Sequence, residues 1–489
     1  MKKITGLFLF VFAAIALTGC GKEDDPKKED KVSTIQVTVK DESGNVQSNI
    51  KVYVFSKAAT EPGGTDPAGA LKTAMTNEDG VAEINVSTIK VDVVYLTVFE
   101  ELLTKELNVL GSVEFPLDGE TTTKELVITK PALKYKHGFI PSTISSTLAM
   151  NEYNRWKSTQ VVACNGGLRV KSENAAETKV EGMGFGMLLS AYAKDKTTFD
   201  GLFTFYKSKT TPQANHMMAW DVICDGFKED AGRNGSASDG DIDVAFSLIV
   251  ASKQWPDETY LDDAKAIINI VRESVIKTCP VNGQSVYIVG PGYNSGNGGL
   301  DPAWGGCDQM DIMYHTPAFF RVFAEVTGDE MWDQLAEDTY VTLNAGAHPT
   351  TGLVPDWQTA TGTPGPNGRV GNFAYDACRA PWKLTLDYLW NGNAKAETWA
   401  KKVATWANGV GPANIVDGYK LDGTPIGTNG LNSAFLGGFS VATMSHGQAT
   451  VDKFSTELGK LNDTYWFNIN TRVLYLFTLT GNFWDPMTR

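Results

Sequence analysis

The chain has 489 residues, of which 20% are charged, and its formal net charge is −14. A length of this order allows one large domain or two or three ordinary ones. The acidic balance excludes nucleic acid as an expected partner, because phosphate backbones require clusters of Lys and Arg.

The first twenty residues predict a processing signal rather than part of the fold. Lys2 and Lys3 precede an apolar run from Ile4 to Leu17, which is too short to span a bilayer as a helix. The run ends in Leu17-Thr-Gly-Cys20, which resembles the lipobox of bacterial lipoproteins. We therefore expect an exported lipoprotein, anchored to the outer membrane by a lipid on Cys20 and exposed at the cell surface. A plain secretory peptide with an incidental cysteine is the alternative.

Residues 21–32 are almost wholly charged and predict a solvated linker. Beyond Cys20 there are five cysteines without CxxC spacing, so no zinc site is expected and at least one thiol stays free. Export permits one or two disulfides, whose pairing the spacing leaves open. These five are Cys164, Cys224, Cys279, Cys307 and Cys378.

Residues 33–130 predict a small β domain. Apolar and polar residues alternate over five segments, and turn signals such as Asn77-Glu-Asp-Gly80 separate them. Short strands at this spacing favour an antiparallel β-sandwich of the Ig-like kind. The pattern resembles carboxypeptidase-regulatory-like or transthyretin-like domains, and it contains no catalytic constellation. A spacer or binding module is therefore expected. The five segments are 35–39, 50–55, 81–86, 94–98 and 125–129.

Residues 131–489 have helical periodicity and predict an all-α domain with its site on long loops. All twelve tryptophans lie in this region, from Trp156 onward. The predicted helical stretches are 187–194, 244–253, 261–275, 316–326, 331–343, 380–389, 394–407, 435–444 and 467–479.

The acidic stretch Ser238-Asp-Gly-Asp-Ile-Asp-Val244 invites a metal interpretation, but its spacing contradicts an EF-hand loop. Counted from Asp239, the positions that need Gly and Glu are Val244 and Val250. Acids before an apolar run also cap helices and suit the positive end of the helix dipole. We expect at least one of these aspartates to be a helix cap.

A second stretch, Val180-Glu-Gly-Met-Gly-Phe-Gly-Met187, surrounds Glu181 with glycines at GxGxG spacing. This differs from the GxGxxG of dinucleotide binding. Glycines beside a lone Glu permit close approach of a substrate, while a favourable acid at a helix N-terminus is the plainer interpretation.

Four motifs occur in an order that resembles glycoside hydrolase family 8. They are Glu181 in EGMGFGM, Asp239 in SDGDIDVA, the segment Thr351-Gly-Leu-Val-Pro-Asp-Trp357, and Tyr375-Asp-Ala-Cys-Arg379. The resemblance extends from about Tyr153 to Phe483. It implies an (α/α)6 toroid and an inverting, endo-acting β-glycanase that needs no metal or cofactor.

The resemblance also implies site residues. Inversion uses one carboxylic acid as proton donor and one carboxylate that activates water. By the resemblance, Glu181 is the general acid, Asp376 the general base, and Asp239 lies under the sugar at the cleavage point. This leaves Asp241 and Asp243 as helix-cap and structural acids. Four further residues follow with it: Arg379 pairs with the base, Tyr314 helps to hold the water, and Trp220 and Trp304 stack on sugar rings.

The sequence departs from the family pattern at Val180, Phe185 and Asp311-Ile-Met-Tyr314. His315 after the tyrosine resembles xylan-active members, although a buried structural histidine is the plainer account. DGDIDVA and GLVPDW resemble the endoglucanases. We expect a monomer that acts on cellulose or mixed-linkage β-1,4-glucan, ahead of xylan and chitosan. A non-catalytic glycan-binding lipoprotein and a hydrolase of cellulose synthesis are the alternatives.

Overall fold

The computed structural model describes residues 33–488 except 42–43, 45, 48–49, 62–63, 65, 102–106, 118, 120–121, 129–134, 257–258 and 298–302. The predicted leader, the charged linker and Cys20 lie outside the described residues. Backbone contacts divide the chain into two compact units, and the chain passes from one to the other between Thr129 and Lys130, with Glu100–Asn108 grouped with the second.

In its described residues, the first unit contains seven strands in two sheets, with the orders β4-β1-β7 and β3-β2-β5-β6. The five predicted strands are present, and β3 and β6 are additional. The β1–β7 pair is parallel, so the prediction of a purely antiparallel arrangement is wrong there. Strand β7 follows strands of the other sheet, and such a crossover allows parallel pairing. The strands are β1 Thr34–Asp41, β2 Lys51–Phe55, β3 Lys72–Met75, β4 Val81–Asn85, β5 Val93–Glu101, β6 Leu107–Pro116 and β7 Thr123–Ile128.

Alternate side chains of this unit are buried in one hydrophobic cluster. In β1, Ile35, Val37 and Val39 are fully buried while the residues between them face outward. Strands of both sheets contribute to the same cluster, including Val54 of β2 and Leu126 of β7. The period of two in the sequence therefore corresponds to one buried face on each strand.

The second unit contains twelve helices among the described residues, including all nine that periodicity predicts. Helices α1, α3 and α11 are not predicted. Helices α1 and α11 bury narrow stripes between polar residues, and α11 buries only Val451, Phe454, Ser455 and Leu458. Helix α3 contains Gly201, a poor helix former. The helices are α1 Ser146–Gln160, α2 Val180–Tyr192, α3 Lys196–Ser208, α4 Ser238–Gln254, α5 Tyr260–Val275, α6 Pro317–Thr327, α7 Met331–Gly346, α8 Ala380–Asn391, α9 Ala394–Val410, α10 Ser433–Thr443, α11 Gln448–Lys460 and α12 Trp466–Leu479.

These helices form six hairpins in an (α/α)6 arrangement. The even-numbered helices contact one another in a ring, α12-α2-α4 and α6-α8-α10-α12. Stacking of Phe246 on Phe319, with centroids 3.6 Å apart, joins α4 to α6. Five odd-numbered helices pack outside the even-numbered helix before them in the chain, as α3 does on α2, while α1 packs outside the last helix, α12. The inner helices are buried on nearly every side, which explains their continuous apolar sequences.

Loops at the ends of the hairpins carry short strands and, among the residues that the structure describes, two disulfides. Cys164 pairs with Cys224 and Cys279 with Cys307, while Cys378 is a buried free thiol. In the described part of the chain, no helix has the length and apolar character needed to cross a membrane. The strands are β8 Val161–Cys164, β9 Gly167–Val170, β10 Glu177–Lys179, β11 Asp221–Ile223, β12 Gly226–Phe227, β13 Ile276–Val281, β14 Gln284–Val289, β15 Gly292–Tyr293 and β16 Ala303–Trp304.

Candidate active site

Three of the acids singled out by sequence meet at one buried guanidinium. Nη1 of Arg379 contacts Oε1 of Glu181 and donates to Oδ2 of Asp239 over 3.3 Å. Nη2 donates to Oδ1 of Asp376 over 3.0 Å. The structure therefore brings together the residues to which the family resemblance assigns acid, base and sugar contact.

The glycines of both acidic motifs hold helices α2 and α4 together. Helix α2 begins at Val180, so Glu181 lies in its first turn. A Cβ on Gly184 would lie 2.8 Å from Cβ of Asp243, and one on Gly240 would lie 2.5 Å from the backbone of Val180. The prediction that the glycines serve substrate approach is thus wrong for Gly184, which permits close helix contact. This contact places the first turns of α2 and α4, with their acids, side by side.

The helix-cap prediction for the aspartates of α4 is also wrong. The helix begins at Ser238 with Ala237 as its N-cap, and no side chain caps it. Asp241 accepts hydrogen bonds from the hydroxyl of Tyr206 over 2.6 Å and from the backbone N–H of Met218 over 3.2 Å. Asp243 pairs with Lys383 at 3.0 Å, and both side chains are buried. Asp241 and Asp243 are therefore buried inside the ring of even-numbered helices, and each carboxylate binds its own separate partners.

Burial dominates the electrostatics of the site. It raises the pKa of Asp239 to about 7, against the opposing charge of Lys383. It also raises the pKa of Asp376, and a hydrogen bond from Trp357 and the charge of Arg369 oppose that rise. Burial lowers the pKa of Arg379 to about 9. Contact with three carboxylates favours the charged guanidinium, so Arg379 is a cation at neutral pH.

Two residues of the GLVPDW motif hold the loop that carries Asp376, a role that sequence reasoning missed. Asp356 accepts hydrogen bonds from the backbone N–H groups of Ala374 and Ala377, each over 2.8 Å. Nε1 of Trp357 donates to Oδ2 of Asp376 over 3.0 Å. The GLVPDW motif marked these two residues in the sequence, but only the folded structure shows that they contact the loop of Asp376.

A cavity of about 470 Å³ gathers the predicted aromatic residues Trp220, Trp304 and Tyr314. The ring of Trp304 lies 5.8 Å from that of Trp357, and the guanidinium of Arg369 lies 5.6 Å from the Trp304 ring. Aromatic faces of this kind suit the apolar C–H faces of sugars. The remaining lining residues are Gly232, Ala237, Asn294 and Arg369.

A second cavity, of about 430 Å³, is lined by Tyr375, the chain neighbour of Asp376. Its other lining residues are polar or aromatic, and Tyr465 is half exposed. They are Asn429, Asn432, Tyr465 and Asn468. This composition is again of the kind that binds sugar hydroxyls and ring faces.

His315 is structural. It is fully buried, its Nε2 accepts a hydrogen bond from the backbone N–H of Val289 over 3.0 Å, and its Nδ1 lies 3.3 Å from the carbonyl oxygen of Asp311. Burial lowers the pKa of His315 to about 4. The plainer sequence interpretation of this histidine is thus the correct one. Within the described ranges, no group of three or more His, Cys, Asp or Glu side chains is arranged to hold a metal ion.

Comparison with known proteins gives concordant matches to the second unit. The family model of glycosyl hydrolases family 8 matches residues 139–480. Endoglucanase 2 of Ruminiclostridium josui is 32% identical over 350 residues, which cover 69% of this chain and 72% of the relative. A reducing end xylose-releasing exo-oligoxylanase of Halalkalibacterium halodurans is 28% identical over 340 residues, covering 63% and 81%. The apo structure of a β-1,3-1,4-glucanase from Paenibacillus sp. X4 superposes with a TM-score of 0.64 at 25% identity, covering 72% of this chain and 96% of the other.

Proposed function

We propose that this chain, which belongs to glycosyl hydrolases family 8, cleaves β-1,4-linked glucan with Glu181 as general acid and Asp376 as general base. It is an endo-acting glycoside hydrolase of β-linked polysaccharide. The observation that carries the assignment of roles is the convergence of Glu181, Asp239 and Asp376 on Arg379, beside a cavity lined by tryptophans.

The reaction follows from this arrangement. Water attacks the anomeric carbon while the glycosidic C–O bond breaks; Asp376 takes a proton from the water and Glu181 gives its proton to the leaving oxygen. Inverting enzymes separate these two carboxyls by about 6.5–9.5 Å, so that water fits between base and sugar. Here Glu181 contacts Nη1 and Asp376 contacts Nη2 of Arg379, so the guanidinium lies between the two carboxyl groups and keeps them apart.

The proton on Glu181 sets a requirement. Oε1 of Glu181 contacts Nη1 of Arg379. A general acid must present its proton to the leaving oxygen. The sugar therefore has to exchange this contact for one between Glu181 and the glycosidic oxygen, while Arg379 keeps its bonds to Asp239 and Asp376.

Two features support glucan as the substrate. The relatives named above include an endoglucanase and a β-1,3-1,4-glucanase, and the DGDIDVA and GLVPDW motifs resemble endoglucanases. Xylan is the second candidate, because one relative is an exo-oligoxylanase. His315 no longer favours xylan, since it is buried and hydrogen-bonded to backbone.

The first unit and the leader complete the proposal. The two sheets share one hydrophobic cluster, which supports a β-sandwich of the transthyretin-like kind that serves as spacer or binding module. A lipid on Cys20 would anchor a monomeric enzyme to the outer membrane with its site facing external polysaccharide.

The test is product stereochemistry. The chain from Ser33 is incubated with lichenan, carboxymethylcellulose, arabinoxylan or chitosan, and new reducing ends are followed by NMR. We expect α-anomers first, from lichenan or carboxymethylcellulose. Glu181→Gln should lose roughly 10²–10⁴-fold in kcat, the usual contribution of general acid–base catalysis, and still bind oligosaccharide. Initial release of β-anomers, or near-normal turnover by Glu181→Gln, would contradict the assigned roles.

A further inference from the structure

Trp357 lies between the proposed base, Asp376, and the cavity of about 470 Å³ that Trp220, Trp304 and Tyr314 line, called the sugar cavity below. Its indole N–H donates to Oδ2 of Asp376 over 3.0 Å. Its ring lies 5.8 Å from the ring of Trp304 and 6.4 Å from that of Tyr314, both of which line the cavity. Trp357 is buried, so its orientation is set by protein packing rather than by solvent.

The two oxygens of Asp376 have different donors. Oδ1 accepts from Arg379, and Oδ2 accepts from Trp357. These two bonds hold the carboxylate at both of its oxygens. A donor on each oxygen fixes the rotation of a carboxylate and favours its ionised form.

Trp357 and Arg379 are not equivalent as donors. Arg379 divides its nitrogens among Glu181, Asp239 and Asp376, and its contact with Glu181 must change when sugar enters. An indole has a single N–H and accepts nothing. Trp357 therefore gives its one hydrogen bond to the base and keeps it independently of the acid.

We infer that Trp357 is a positioning residue for the general base, whose indole N–H fixes the Asp376 carboxylate in the orientation that receives a proton from water. The inference rests on the proposed role of Asp376. Its ring, packed against Trp304 and held beneath the guanidinium of Arg369 at 4.7 Å, ties that orientation to the wall of the sugar cavity.

The pH dependence has a defined sign. The hydrogen bond from Trp357 and the charge of Arg369 lower the pKa of Asp376 against its burial. Loss of the N–H therefore raises this pKa, and the acid limb of kcat/KM moves to higher pH because the base must be ionised. The other groups that face Asp376 stay in place in the variant below: Arg369, Arg379, Asp239, Asp311, Asp356, Tyr314 and Cys378.

The test compares two buried tryptophans, each of which donates one hydrogen bond through its indole N–H. Trp357→Phe removes the N–H and keeps an aromatic ring. The matched control is Trp399→Phe, because Trp399 is also buried and donates over 2.9 Å to the carbonyl oxygen of Gly352, at the start of the same loop. Each variant is assayed for kcat and KM on soluble β-glucan between pH 4 and 9, with thermal unfolding measured in parallel.

We expect kcat of Trp357→Phe to fall roughly 10- to 100-fold at neutral pH, as for loss of a hydrogen bond to a charged group. Its KM should change less than threefold, and its acid limb should move to higher pH. Trp399→Phe should lower only the unfolding temperature. An unmoved acid limb in Trp357→Phe, or an equal shift in Trp399→Phe, would overturn the inference.

Asp376→Asn separates this inference from the proposed function. If Asp376→Asn retains most of its turnover, the assignment of the base fails. If it is inactive while Trp357→Phe behaves like Trp399→Phe, only the positioning role fails. Should Trp357→Phe not fold by circular dichroism, Trp357→Met, which fills the space with a flexible side chain lacking an N–H, is interpreted by the same criteria.

Discussion

A single arginine organises the candidate site at the scale of residues. Arg379 contacts Glu181, Asp239 and Asp376, and it is almost fully buried. Three carboxylates in one buried place would repel one another strongly without a cation. The charge of Arg379 thus allows the three carboxylates to lie close together. One helical turn further along α8, Lys383 neutralises the buried carboxylate of Asp243 in the same way.

His315 predicts acid sensitivity of the fold. Its pKa of about 4 in the folded protein lies below the usual 6.5. Between these values the unfolded chain binds a proton that the folded chain does not, so stability falls as the pH falls. Protonation of Nε2 would also oppose the N–H donated by Val289.

We therefore expect His315→Gln to lose less stability than the parent between pH 6.5 and 4, by up to roughly 3 kcal/mol. Urea unfolding at both pH values measures the difference. His446→Gln, at an exposed histidine, is the control and should keep the parent's pH dependence. An identical pH dependence for parent and His315→Gln would show that His315 is not the cause.

At the scale of elements, one cysteine of each disulfide lies close in sequence to a tryptophan that lines the cavity. Cys224 follows Trp220 by four residues and Cys307 follows Trp304 by three. Each bond ties a loop whose tryptophan lines the cavity to another segment of the helical unit. The disulfides therefore restrict the loops that line the cavity.

Replacement of Cys279 and Cys307 by Ser should weaken substrate binding more than chemistry. Loss of pre-organisation of a side chain such as Trp304 costs roughly 0.5–1.5 kcal/mol, which corresponds to about a 2- to 10-fold rise in KM. The free energy of unfolding should fall by roughly 3–4 kcal/mol for a loop of this length. Steady-state kinetics and urea unfolding test both effects, with reduction of the parent by dithiothreitol as a parallel measurement. An unchanged KM would contradict the role in binding.

At the scale of the whole molecule, every candidate catalytic or sugar-binding residue lies in the second unit. The first unit has its own hydrophobic cluster, separate from that of the helical unit. The proposed lipid at Cys20 therefore concerns location rather than chemistry.

Cys20→Ala should move the protein from the membrane fraction to the soluble fraction, because the proposed lipid supplies the anchor. Its turnover of soluble β-glucan should stay the same. Centrifugation followed by immunoblotting and a reducing-end assay measures both properties. Sedimentation of the variant with membranes would contradict anchoring through Cys20.

The sequence by itself determined the class of protein, the two periods of its units and the acids of the site. Periodicities of two and 3.6 follow from the geometry of strands and helices, so local pattern predicts them. The candidate acids Glu181, Asp239 and Asp376 were found through motifs that resemble those of the family, and the chemistry of inversion accounts for two of them, the acid and the base.

Only the tertiary structure decided which neighbours those acids have. The contact of Trp357 with Asp376, the sharing of Arg379, the role of Gly184 in helix contact and the pairing of the cysteines join residues that folding alone brings together. No local pattern encodes such contacts, because they depend on how buried helices and loops pack around one another.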